Sequence, residues 1–96
     1  MRQTDQLRKI VICDFAGIRL DMDYMLCIPS VHATYEQKEM IVDYSGGIRK
    51  ISDQFPSDKA ELVVKWVSLH REEIQNNHSR INSWNEPPLM IEPLQL

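Results

Sequence analysis

One stretch limits what this chain can fold into more than any other: Ser57 to Arg80, reading SDKAELVVKWVSLHREEIQNNHSR. Val63, Val67, His70, Ile74 and Ile81 recur at spacings of four, three, four and seven. That recurrence stacks side chains on one face of an α-helix. Ala60 and Trp66 flank the stripe, whereas Glu61, Lys65, Ser68 and Glu72 fall on the opposite side. Pro56 stands just outside the segment, and Ser57 can cap its first turn with the side-chain hydroxyl. Asp58 and Glu61 suit the positive end of the helix dipole. The pattern predicts a single helix over residues 57–81. An apolar stripe of this kind has to cover something, and the alternating segments before it are the natural partner.

Residues 8–15 (RKIVICDF) read as a β-branched strand, and Ala16-Gly17 as a turn or bulge. Ile18, Leu20, Met22, Tyr24 and Leu26 then alternate with Arg19, Asp21 and Asp23, the signature of a strand with one buried and one wet face. Pro29 interrupts. Val31, Ala33 and Tyr35 next oppose His32, Thr34 and Glu36, and Met40, Val42 and Tyr44 share one side of the following segment. Gly46-Gly47 signals a hairpin leading into a short strand, Ile48 to Ile51. The expected fold is α+β. An antiparallel sheet of four to five strands (8–51) packs against one long C-terminal helix, followed by an extended Pro-rich tail (86–96). All 96 residues form one domain, and a chain of this size buries roughly 65% of its unfolded surface.

The formal net charge is −3, which argues against a free-standing nucleic-acid binder, since such a protein needs a basic surface to displace counterions. Cys13 and Cys27 are isolated and make neither a zinc-finger spacing nor a disulfide framework. No motif calls for a metal or a cofactor. The apolar run Ile10 to Cys13 is too short for a signal sequence or a membrane span, so a cytoplasmic location is expected.

Beyond the helix, Pro87-Pro88 forbids further helix, and Pro93 keeps the apolar tail LMIEPLQL from being a central strand. Such a tail either folds back over its own core or docks another chain. On the second reading Trp84, Leu89, Met90, Ile91 and Leu94 are the partner-binding candidates. Among titratable residues, His70 interrupts the apolar stripe, as a general base or ligand in a cleft or as a hydrogen-bonded core histidine. His32 lies on a strand face that Asp21 or Asp23 can share, where it could hold a metal or move a proton, or belong to an ordinary solvated face. Arg71, Glu72 and Glu73 read as a solvated helix flank.

The segment WVSLHREEIQNN, followed by NEPPLMIEPL, resembles the carboxy-terminal signature of the small bacterial proteins of domain-of-unknown-function family 4160. The matching positions are Trp66, Leu69, His70, Arg71, Glu72, Glu73 and Ile74, then Ile91, Glu92, Pro93 and Leu94. Gly17-Ile18-Arg19 and Pro29-Ser30-Val31-His32-Ala33 resemble the family's upstream motifs, with Ser30 where the family carries the first of two histidines. The resemblance implies gene pairs of the toxin–antitoxin kind. Two function classes follow. In the first, the protein is a binding module, a toxin–antitoxin component or an inhibitor of a cognate small protein or host complex. In the second it is a catalytic toxin, acting on RNA through His32 and His70 with Asp21 or Glu73. A structural subunit is a third reading, and self-association is compatible with each.

Overall fold

The computed structural model describes residues 9–23 and 27–96; the expectations for Arg8, Tyr24 and Leu26 lie outside these. Five strands form an antiparallel meander in the order β1-β2-β3-β4-β5. They are β1 (Lys9–Phe15), β2 (Ile18–Asp23), β3 (Ser30–Tyr35), β4 (Lys38–Asp43) and β5 (Ile48–Ile51). Two helices follow, α1 (Ser57–Leu69) and α2 (Arg71–Asn82), packed against β4 and β3 respectively.

Local chemistry sets the turns. Ala16 and Gly17 join β1 to β2 with φ of 54° and 76°, the doubly left-handed geometry that matches strand twist in a two-residue hairpin. Gly17 has a second reason to be glycine, because a Cβ there would stand 3.2 Å from the Tyr35 ring. Glu36 and Gln37 make the same turn between β3 and β4 with φ of 48° and 72°, without any glycine. An L-residue in this region costs about 1–2 kcal/mol. Gln37→Gly is therefore expected to stabilise the fold by about 1 kcal/mol, seen as a rise of several degrees in melting temperature.

Asp43 organises the β4–β5 turn. Its Oδ1 accepts from the Ser45 N–H (3.0 Å), the Ser45 hydroxyl and the Gly47 N–H (3.0 Å). The Ser45 hydroxyl, then the two backbone donors and Arg49, hold the carboxyl below its ordinary range against the opposing effect of burial. A depressed carboxylate stabilises the fold above its unfolded pKa of about 3.9, and this contribution fades as pH falls through the folded value. Asp43→Ala should lower the melting temperature at pH 7 by several degrees, and its deficit against wild type should shrink below about pH 4.

The core lies between one sheet face and the helices. Ile18, Leu20, Met22, Val31, Ala33, Met40 and Val42 are buried there against Val63, Trp66, Val67, Ile74 and Ile81. Trp66 is the largest wholly buried side chain and stands 6.4 Å from the Phe15 ring, so it belongs to the centre of the stripe rather than its flank.

The single long helix is corrected to two. At His70 the backbone turns to φ −116°, ψ 31°, and its N–H is shared between the Trp66 and Val67 carbonyls at 3.1 and 3.2 Å. The Ile74 N–H then bonds the His70 carbonyl at 3.0 Å, starting α2. Glu72 and Glu73 occupy the new first turn, where negative charge suits the dipole. No Gly or Pro marks the break. The expected Ser57 cap is also corrected: Pro56 is the N-cap, without a side-chain bond, and its carbonyl takes the Ala60 N–H at 2.9 Å.

Candidate functional site

Adjacent strands bring Asp21, His32 and Glu39 together on the sheet face away from the helices. Asp21 pairs directly with His32 across β2 and β3. Glu39 is the register partner of Thr34, one step along the same face from His32. His32 Nδ1 lies 3.2 Å from Asp21 Oδ1, and Nε2 lies 2.8 Å from Glu39 Oε1. The Asp21 and His32 side chains are buried, while Glu39 is half exposed. The solvated face expected at Asp21 and His32 is thus a buried polar one. An ionised carboxylate only accepts hydrogen bonds, and a neutral imidazole has one donor and one acceptor. Both ring nitrogens are thus engaged by carboxyl oxygens, and a metal or a substrate would have to displace one of them. The Asp23 side chain lies outside the described residues.

Glu39 was not anticipated as a member of this cluster. Its signal is the alternation in KEMIVD, where Met40 and Val42 face the core and Glu39 and Ile41 do not. Reading it also requires the two-residue turn at Glu36-Gln37, which fixes the register.

His70 is in a different place. It sits at the helix junction, with Nδ1 against Glu73 Oε1 and its ring 5.0 Å from that of Trp66. Val31 and Ala33 face the helices, so His32 between them points to the other side of the sheet. The structure brings His70 to Glu73 and His32 to Asp21, but does not bring the two histidines together. Among the described residues no group of three or more His, Cys, Asp or Glu side chains could hold a metal ion. Nor is any described helix long and apolar enough to cross a membrane.

The tail is fastened at several points. Asn77, buried within α2, donates from Nδ2 to the Leu89 carbonyl (2.9 Å) and accepts the Leu89 N–H at Oδ1 (2.8 Å). Trp66 Nε1–H donates to the Glu92 carbonyl at 2.8 Å. The Ile91 N–H reaches the Ile12 carbonyl of β1 at 2.8 Å, and Arg80 Nε donates to the Pro87 carbonyl at 2.8 Å. Ile91 is 5% exposed and joins the core, and Leu94 packs against it. Trp84, Leu89 and Met90 remain exposed. The backbone is pinned while part of its apolar side-chain set faces outward.

The family described as Domain of unknown function (DUF4160) matches residues 17–79. The chain belongs to that family. The DUF4160 segment runs from the β1–β2 turn nearly to the end of α2, so it contains Asp21, His32, Glu39, His70, Glu73 and Asn77. All of β1 and the whole tail lie beyond it. No curated protein and no solved structure gives a significant match.

Proposed function

We propose that this protein acts by binding another protein, as a component of a toxin–antitoxin-like pair or as an inhibitor, in the cytoplasm. The surface is the one built by the helix junction and the tail. The carrying observation is that Leu69 (63% exposed), Leu89 (51%) and Met90 (69%) are displayed on backbone held by helix and tail hydrogen bonds. They line two shallow concavities that share Glu72 and Glu73. With the backbone already fixed, binding has to order only the side chains. An apolar centre with an acidic edge suits a partner with an apolar patch rimmed by Lys or Arg. The engagement of both His32 nitrogens favours this reading over a catalytic one.

The test is co-expression with a small protein from a neighbouring gene, the partner that the family resemblance implies, followed by size-exclusion chromatography. Wild type should elute as a stoichiometric complex. The double variant Leu69→Asp/Met90→Asp, both at exposed positions, should fold normally and weaken the complex by about 2 kcal/mol or more per site. A complex unchanged by both substitutions would refute this surface. Deleting residues 89–96 is a poorer test, because it also removes Ile91 from the core.

A further inference from the structure

The two edges of the sheet differ. On β1 the tail contributes a backbone hydrogen bond from Ile91 to Ile12. β5 ends the strand order, and among the described residues no strand pairs with its outer side. An open edge is a template for another strand. Here it is bordered by side chains suited to receive one.

The register pairs Val42 with Ile48 and Met40 with Ile51, with an irregularity between Ile41 and Val42. Met40 and Val42 face the helices, so both β5 isoleucines do so as well, although they are three residues apart. Ile48 is 49% and Ile51 43% exposed. Ile48 lines an apolar groove with Ala60 and Val64 of α1, with Lys65 and Glu61 at its border. On the other sheet face, Ile28 and Ile41 lie beside Arg49 and Lys50. An incoming strand would thus set alternate side chains into an apolar groove on one face and against two cations on the other.

The charges decide between occupants. If a second copy paired β5 with β5 about a two-fold axis, the strand IRKI would set Arg49 opposite Lys50, Arg49 opposite Arg49, or Lys50 opposite Lys50, depending on the centre. Like charges directly opposite are destabilising. Carboxylates at those positions would instead be attracted. We propose that the β5 edge accepts an extended segment of another protein in which apolar and acidic residues alternate. Its apolar side chains enter the groove of Ile48, Ala60 and Val64, and its carboxylates meet Lys50, with Arg49, which also reaches Asp43 Oδ2 at 3.4 Å, beside it. This surface is separate from the one at Leu69 and Met90.

The experiment uses the full chain and fluorescein-labelled peptides of about eight residues, long enough to pass the strand. One peptide alternates valine with glutamate and the other valine with lysine. The glutamate peptide should give saturable anisotropy and slow amide exchange along Ile48 to Ile51. The lysine peptide should bind at least about tenfold more weakly. Lys50→Glu, at an exposed position, should invert that preference, whereas Leu69→Asp/Met90→Asp should leave it unchanged. Absence of saturable binding overturns the proposal, as do equal affinities for the two peptides or indifference to Lys50→Glu. Concentration-dependent dimerisation that protects β5 without peptide would do so too, since it would make a second copy the occupant.

Discussion

Asn77→Asp should be among the most damaging single substitutions in this protein, although it changes one amide to a carboxyl of the same shape. Asn77 is 1% exposed and uses both ends of its amide on Leu89. The Leu89 N–H could still bond an aspartate oxygen. The Leu89 carbonyl, however, would lose its donor and face an ionised oxygen in a buried site. Leaving such a group unsatisfied costs about 1–3 kcal/mol, and more when a charge is involved. A loss of about 3–4 kcal/mol is expected, read by urea denaturation. Asn77→Ala should cost about 2–3 kcal/mol by removing both bonds and leaving a void. If Asn77→Asp were within about 0.5 kcal/mol of wild type at pH 7, the paired bonds to Leu89 would contribute little.

The second large effect is expected at His32. His32→Ala removes the partner that faces the buried Asp21 carboxylate at 3.2 Å. Leaving a buried carboxyl without its hydrogen-bond partner costs about 1–3 kcal/mol, and more when the group is charged. Replacing both members, as Asp21→Val/His32→Val, should cost clearly less than the sum of the two single replacements, since β-branched residues suit a strand and no buried charge remains. A double-mutant cycle by denaturant titration measures the difference. Strict additivity would mean that the contact carries no coupling energy.

How much of this was legible beforehand depends on which physical signal each element left in the chain. The amphipathic stripe was plain, and Val63, Val67, Ile74 and Ile81 are all buried as their spacing implies. Glycine marks a turn or bulge at Ala16-Gly17 and a hairpin at Gly46-Gly47. The Glu36-Gln37 turn has no such mark, because two ordinary residues occupy left-handed backbone there, and the place of Glu39 was lost with it. The break at His70 has no Gly or Pro to mark it. It shows as a backbone hydrogen bond shared at His70, which leaves no compositional trace.

Asn77 is the most instructive case. The stripe runs 63, 67, 70, 74 and 81, and its step of seven passes over position 77. A polar residue at a core-facing helical position needs a partner. Here that partner is the backbone of the tail, twelve residues further on. The tail's two readings, own core or docking segment, divide residue by residue. Ile91 and Leu94 turn inward, and Leu89, Met90 and Trp84 turn outward.

That division supports the proposed binding surface only if the tail is a fixed part of the folded body. The most direct measurement is native-state amide hydrogen exchange of Leu89 and Ile91 in the isolated protein, followed by NMR. Their N–H groups bond to Asn77 and Ile12, so both should be protected about as well as amides in the middle of α2. Exchange of both at the rate of an unfolded peptide, with the strands still protected, would contradict the account.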